Sequence, residues 1–468
     1  MKKRILAFGV ALVMAVTLLC ACIPTASAEG YSLPNDVTVH AESAILVSLA
    51  NDPSSDMVLY AKDADEVRAP GAMMRYMVLA YALHRIEEKG MNVDTDTGTY
   101  SITLFNNYVA GTGVATAQMN YGEEWTLRDL LTVSFIHNAS DAVVVLAEAV
   151  DGDVRTFIDG MNSLALEIGC VNSHFHHLTG LDSLSQYTTA RDMYRIVRYC
   201  QSFSLFEDLA SPARVTVTPV KGGDKRTINT NNHLAMADSS YYYAPLVYSR
   251  TGLSDTDGRT CAAVARQGGY DYLVVVMGCP EKNAEGQSGL HYRDATTLLK
   301  WAFSDFEYRV VLNKDEILQT LPVAESWDVD RVSLIPEKEI ATVVKKGMDS
   351  NQIIQTITLN AESLTAPVKK GTVYGKVELY VNTDQKIGEV ALVAAEDISR
   401  SELMHGWEGF SGGVKNAVNT FATDVLPYVL IGGGVLTVLV VVYIILCVVH
   451  NKKRNKQKYA DFKPRKRK

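Results

Sequence analysis

Residues 69–77 read Ala-Pro-Gly-Ala-Met-Met-Arg-Tyr-Met, and this stretch decides how the whole chain is interpreted. Pro70 and Gly71 interrupt the preceding segment. The apolar residues that follow recur at helical spacing, namely Met73, Met77, Ala80 and Leu83. The pattern predicts a buried helix over residues 72–89 that stops at Gly90. Taken alone, the stretch would be no more than the start of a core helix.

The N-terminal residues are typical of a secretory leader. Three basic residues at positions 2–4 precede an apolar run at 6–22, and a small-residue cleavage pattern ends at Ala28. We therefore expect residues 1–28 to be a signal peptide. The cysteines at positions 20 and 22 leave a lipoprotein-type leader open as an alternative.

The C-terminal residues predict a membrane anchor. Residues 426–449 contain no charged side chain and are long enough to span a bilayer. The tail at 450–468 holds ten Lys or Arg residues against one acid, which indicates a cytoplasmic location. We expect a single-pass plasma-membrane protein with its ectodomain outside the cell. An amphipathic juxtamembrane segment is expected at 399–425.

The charge distribution argues against nucleic acid as a partner. The chain carries a net charge of −8, but the leader contributes three positive charges and the tail a surplus of nine. When both are subtracted, the portion between them carries −20. An ectodomain this acidic would repel a phosphate backbone.

Cysteine and histidine spacing gives no sign of a metal or a cofactor. Four ectodomain cysteines, at positions 170, 200, 261 and 279, show no pairing pattern. Three histidines fall within residues 174–177, but no carboxylate or cysteine lies at ligand spacing from them. We therefore expect neither a metal site nor a cofactor.

The order of predicted elements indicates an α+β fold. Two strands open the chain, a helical block follows, and two long strands flank Gly268 and Gly269 as a hairpin. We expect the first and last strands to share one sheet. The strand predictions are residues 44–47, 57–60, 261–267 and 270–277. From about Tyr308 the sequence changes to short β-like runs, including 373–381 and 386–393, which predict a small all-β module.

This order resembles the serine-type D-alanyl-D-alanine carboxypeptidases, low-molecular-weight penicillin-binding proteins of the penicillin-recognising fold. The resemblance extends over nearly the whole ectodomain. It is carried by residues 57–66, 141–148, 179–182, 187–192, 367–371, 375–378 and 392–397. It implies a β-lactamase/DD-peptidase-like domain over 29–305, with a sheet packed against a helical block, and a small β domain over 306–398.

The residues at the family's catalytic positions differ from the family pattern. That pattern needs Ser-x-x-Lys, Ser-x-Asn and Lys-Thr-Gly. By the resemblance, Ala72 and Arg75 stand where the serine and lysine belong. Asn138 and Ser140 occupy the second motif with the two residue types exchanged. Alanine has no nucleophilic atom, and arginine effectively never deprotonates in proteins.

The third motif reads Arg250-Thr251-Gly252, so a cation is kept where the family has lysine. The resemblance implies that these three residues bind substrate. A guanidinium recognises carboxylates well, and a retained anion site is therefore expected here. An ordinary strand and turn is the competing interpretation.

We therefore expect an inactive homologue that binds a peptidoglycan stem peptide or a cell-wall protein partner. Two alternatives stay open: an active carboxypeptidase or hydrolase with a rearranged site, and a membrane scaffold with a vestigial cleft. Ser140 could be a displaced nucleophile, although its place at a helix start predicts an N-cap. A slipped alignment would need another serine, but none of the candidates has lysine three residues on: Ser48, Ser54, Ser55 and Ser101.

Overall fold

A computed structural model describes residues 30–181, 184–326, 329–381, 385–400 and 440–448. The predicted leader, the juxtamembrane segment beyond residue 400 and the basic tail lie outside these residues. Of the predicted membrane span, only residues 440–448 are described, and they are helical. No helix within the described ranges combines the length and apolarity that crossing a bilayer requires.

The chain folds as two compact units. The first contains residues up to 313 together with 339–356 and 378–389. The second contains residues 314–338, 357–377 and those from 390 onward. Every candidate catalytic and binding position belongs to the first unit.

A five-stranded antiparallel sheet forms the centre of the first unit. Its strands are β1 (Ser43–Leu49), β2 (Met57–Lys62), β7 (Leu246–Ser254), β8 (Gly258–Gln267) and β9 (Tyr270–Cys279). Their order is β2-β1-β9-β8-β7, so the first and last strands share the sheet as predicted. The β8–β9 hairpin is also confirmed, and Gly268 and Gly269 both have the positive φ that its turn requires.

Seven helices of five or more residues make up the described helical block. They are α1 (Arg75–Lys89), α2 (Leu127–Ile136), α3 (Ser140–Asp151), α4 (Val154–Glu167), α5 (Ala190–Cys200), α6 (Phe206–Ala210) and α7 (Leu290–Asp305). Other helical segments are the short turns Pro53–Ser55, Gly71–Met74, Ile102–Leu104 and Ser350–Gln352, and the five-residue π-helix Phe105–Val109. Helix α1 packs against α2, α3, α4 and α5 and is buried over most of its surface.

The helix ends agree with the sequence signals. Gly90 ends α1 with a φ of 63°, as predicted, and Gly169 follows α4 with a φ of 82°. The Thr126 hydroxyl accepts a hydrogen bond from Asp129 N and caps α2. Local capping chemistry therefore sets where these helices begin and end.

The remaining strands are short or belong to the predicted β region. They are β3 (Thr97–Thr99), β4 (Glu124–Thr126), β5 (Arg214–Val217), β6 (Arg226–Asn229), β10 (Phe306–Leu312), β11 (Gln319–Ala324), β12 (Arg331–Pro336), β13 (Ile340–Lys345), β14 (Ile353–Leu359), β15 (Leu364–Thr365), β16 (Val373–Val381) and β17 (Gln385–Ala394). Strands β3–β4, β5–β6 and β10–β13 form two-stranded sheets, and six strands join in the order β14-β16-β17-β12-β11-β15. The α+β class with a C-terminal β domain is thus confirmed.

Asp294 of α7 holds the segment that leads into β1. Its carboxylate accepts hydrogen bonds from His40 N and Ala41 N, both at 2.7 Å, and contacts His40 Nδ1 at 2.9 Å. The side chain is almost fully buried. A buried carboxylate is stable here because backbone N–H groups satisfy it.

We predict that Asp294→Ala lowers the free energy of unfolding by about 2–4 kcal/mol, because two backbone N–H groups lose a charged acceptor. Urea titration of the purified protein measures the change. Asp238→Ala, at an exposed position, is the matched control. An unchanged unfolding midpoint for Asp294→Ala would contradict this account of the tether.

Candidate active site

Ala72 lies in the turn Gly71–Met74, directly before α1, and is half-buried. The backbone comes close to it on two sides. A Cβ built on Gly252 would lie 2.3 Å from Pro70 O and 3.0 Å from Ala72 N. A Cβ built on Gly180 would lie 2.9 Å from Ala72 Cα. Only glycine permits this approach, so the sequence-predicted positions 72 and 252 are indeed brought together.

Arg75 begins α1, one turn after Ala72, and its side chain is fully buried. Its Nε donates to Asn138 Oδ1 at 2.9 Å, and its Nη2 donates to Ser140 Oγ at 3.2 Å. The structure therefore joins the first two motif positions through direct hydrogen bonds. The guanidinium connects the start of α1 to the start of α3.

The charge of Arg75 persists at neutral pH. Burial, with a smaller contribution from the positive charge of Arg250, lowers the pKa of Arg75 to about 9, while Asp141 opposes this shift. The group still holds its proton at pH 7 and cannot accept another. Within the described part of the chain, its Nη1 has no hydrogen-bond partner. Arg75 therefore acts as a fixed cation and not as a general base.

Asn138 and Ser140 differ in backbone conformation. Asn138 has a φ of 61°, in the left-handed region that asparagine tolerates better than most residues. The prediction that Ser140 caps its helix is wrong: Ala139 occupies the N-cap position and Ser140 is the first helical residue. The Ser140 hydroxyl faces inward because Arg75 donates to it. The neighbouring Asp141 carboxylate instead accepts from Ala117 N and Met119 N.

Arg250 points into the protein from β7, and its side chain is 2% exposed. Its Nη1 donates to Phe135 O at 2.5 Å and Ile136 O at 3.2 Å, which are carbonyls at the C-terminal end of α2. Its Nη2 donates to Asn231 Oδ1 at 2.6 Å. A cation is favourable at a helix C-terminus, and burial lowers the pKa of Arg250 to about 10. Much of its donor capacity is thus used internally.

A cavity of about 340 Å³ opens beside Arg250 and Thr251. It lies at the start of α7 and has a partly aromatic wall, in which the rings of Tyr241 and Tyr292 are 5.0 Å apart. The lining residues that sequence reasoning missed are Asn231, His233, Tyr241, Arg259, Glu281, Ser288, Gly289, His291 and Tyr292. No motif marks them, because they come from separate segments.

The cysteines and the histidine cluster contribute no metal-binding arrangement. The cysteines at positions 170, 200, 261 and 279 are buried free thiols. The His174 ring stacks on Tyr187. Burial lowers the pKa of His177, and the positive charge of the nearby Arg75 adds to this effect. No group of three potential metal ligands occurs among the residues that the structure describes.

Comparison with known proteins places these features in a family. Residues 29–281 match the family model for D-alanyl-D-alanine carboxypeptidase, and residues 306–400 match that for the penicillin-binding protein 5 C-terminal domain. The chain is 23% identical over 372 residues to D-alanyl-D-alanine carboxypeptidase DacF of Bacillus subtilis, covering 78% of this chain and 88% of that protein. It is 26% identical over 397 residues to DacA of Escherichia coli, covering 82% and 91%.

A solved structure supports the fold. Penicillin-binding protein 5 from Haemophilus influenzae superimposes with a TM-score of 0.60 at 22% identity, covering 79% of this chain and all of that one. A similarity at this identity concerns the fold alone.

We predict that His291 makes the protein acid-sensitive. The ring is 2% exposed, and burial lowers its pKa from 6.5 to about 3. Below pH 6.5 the unfolded chain binds a proton that the folded chain does not, so stability present above pH 6.5 is lost as the pH falls towards 3. Between pH 7.5 and 4.5, His291→Gln should lose about 2–3 kcal/mol less unfolding free energy than the wild type.

Urea titrations at the two pH values measure this difference. His174→Gln, an exposed site, is the control for replacing a histidine by glutamine. Equal acid-induced losses in the wild type and His291→Gln would contradict the prediction.

Proposed function

The chain belongs to the D-alanyl-D-alanine carboxypeptidase family of low-molecular-weight penicillin-binding proteins, and we propose that it is a non-catalytic member. It acts by binding peptidoglycan stem peptides in the cleft without hydrolysing them. The membership makes a cell-wall peptide the natural ligand class. The loss of turnover is argued from the residues of this chain.

The observation that carries the proposal is the pair Ala72 and Arg75. Acyl transfer in this family requires a hydroxyl nucleophile and a base that can take its proton. Ala72 offers no such atom, and Arg75 keeps its charge while bonded to Asn138 and Ser140. Removing a serine nucleophile costs on the order of 10⁶ in kcat in a well-studied serine protease. With both groups replaced, no acyl-enzyme forms.

Ser140 does not provide a substitute nucleophile. Its hydroxyl is fully buried and accepts a hydrogen bond from a cation. A nucleophilic serine needs the opposite arrangement, in which the hydroxyl donates to a base. This geometry argues against an active enzyme with a rearranged site.

The cavity beside Thr251 is the proposed binding site. Arg250 and Arg259 bring two positive charges to its wall, and a stem peptide ends in a carboxylate. Arg259 Nε is also paired with Glu281 at 2.8 Å, and its side chain is 31% exposed. Positive charge in a partly closed cavity favours an anionic peptide terminus.

Membrane anchoring is part of the proposal. The uncharged stretch at 426–449 and the basic tail after it support a single-pass anchor with the ectodomain outside the cell. In the described helix at 440–448, every side chain except Cys447 is exposed. A bilayer would cover such an apolar surface.

We predict that the purified protein forms no covalent adduct with a fluorescent penicillin, because position 72 has no hydroxyl to acylate. In-gel fluorescence after denaturation measures labelling. A catalytically active relative treated alongside serves as the positive control. A labelled band from the wild-type chain would refute the non-catalytic proposal.

Two restored variants make this test more informative. One carries Ala72→Ser and Arg75→Lys, and the other adds Asn138→Ser and Ser140→Asn. The larger variant places serine at position 138, where φ is 61°, a conformation that serine disfavours. The double variant keeps Asn138 at this position, so both variants are needed. Labelling of either variant would show that the backbone of the site still supports acylation and that only the catalytic side chains are missing. If both variants fold and remain unlabelled, the cleft has also changed at positions outside the motifs.

We predict that a peptide ending in D-Ala-D-Ala binds the full-length protein, and that Arg250→Gln and Arg259→Gln each weaken binding about tenfold or more. Isothermal titration calorimetry measures the affinity. Because Arg250 also donates to carbonyls at the end of α2, Arg259→Gln is the variant that changes binding with less effect on the fold. Thermal melting shows whether both variants are folded. The exposed Arg155→Ala is the matched control. No binding by the intact protein would favour a scaffold with a vestigial cleft.

A further inference from the structure

A second groove crosses the end of the central sheet. Two cavities of about 500 and 570 Å³ meet there and share the residues Leu49, Ala50, Asn51, Gly269 and Asp271. We call this combined feature the sheet-end groove. It has no lining residue in common with the cavity beside Arg250. Each of the two cavities has a volume within the range of ligand-binding pockets.

Tyr270 and Tyr308 provide an aromatic surface in the sheet-end groove. The Tyr270 ring stacks on Tyr272 with an interplanar angle of 5° and a centroid distance of 6.3 Å. Its hydroxyl accepts a hydrogen bond from Tyr308 N at 3.2 Å. Tyr308 itself is 59% exposed. A large ring held at the surface on a strand is well placed to stack against a flat ligand.

Four charged side chains that line the groove form ion pairs, namely Arg198, Glu207, Arg266 and Asp271, whereas Asp52 accepts hydrogen bonds from Ser54. Arg198 Nε lies 3.0 Å from Asp56 Oδ2. Arg266 lies 3.0 Å from Glu207 and 2.8 Å from Asp271. The lining residues thus offer no surplus positive charge to an anion. The exposed Asn51 and Ser55 add neutral polar groups. The groove is therefore suited to a ligand that is polar and uncharged.

We propose that the sheet-end groove binds a neutral sugar chain, namely a stretch of cell-wall glycan built from N-acetylated hexosamines. A pyranose ring presents a C–H face that stacks on tyrosine and a rim of hydroxyl and amide groups that hydrogen-bond to neutral side chains. The choice of cell-wall glycan over other sugars rests on the proposed function. The protein would then bind the glycan strand and its peptide at two different sites.

The test uses the full-length protein in detergent and a tetrasaccharide of N-acetylglucosamine, with affinity measured by calorimetry. Tyr308→Ala should weaken binding about tenfold or more, because it removes the stacking ring. Tyr308→Phe should bind like the wild type, because it keeps the ring. Asn51→Ala should also weaken binding. Both positions are exposed, so thermal melting should report folded variants.

Two controls separate this site from the cleft. Tyr121→Ala removes a tyrosine of similar exposure, 54%, and should leave sugar binding unchanged. Arg250→Gln should likewise leave it unchanged. Absence of tetrasaccharide binding by the wild type, or equal affinity in Tyr308→Ala, would overturn the inference. Peptide binding measured on the same samples tests the proposed function separately, since Tyr308→Ala leaves the cleft intact.

Discussion

A buried guanidinium determines the character of the site. Arg75 lies at the start of α1, the helix around which the others pack, and donates to Asn138 and Ser140 across the helical block. A cation without water needs such partners, because an unsatisfied buried charge is very costly. The Arg75 side chain is therefore part of the framework of the fold. Its charge is also what removes any general-base chemistry from this position.

Close backbone packing holds together the segments around Ala72. Gly180 and Gly252 bring two separate segments against Ala72, where a side chain on either glycine would collide with backbone atoms. These contacts depend on the absence of side chains and not on the serine or the lysine. Arg250 then ties β7 to the carbonyls at the end of α2. The backbone arrangement around position 72 therefore does not depend on which side chains stand at the motif positions.

The two surface cavities differ in the chemistry they present. The one beside Thr251 has the buried cation of Arg250 in its wall without an acidic partner in the ion pairs described, whereas the arginines of the sheet-end groove are paired with carboxylates and Tyr308 is exposed there. Positive charge suits a carboxylate, and paired charges with an aromatic surface suit a neutral sugar. Peptidoglycan contains both kinds of group. Under the proposed function, the protein would recognise the wall polymer through two distinct surfaces.

The sequence alone determined the features that depend on local rules. Helical periodicity predicted α1, Gly90 predicted its end, and paired glycines predicted the β8–β9 turn. The absence of a nucleophile at Ala72 also followed from the sequence, once the resemblance had aligned the motif. Tertiary structure alone decided that Ser140 accepts from Arg75 instead of capping α3, and that Arg250 turns towards the carbonyls of α2. It alone assembled both cavities. Hydrogen bonds and cavity walls join residues far apart in the chain, and no local pattern encodes which distant partner a side chain will meet.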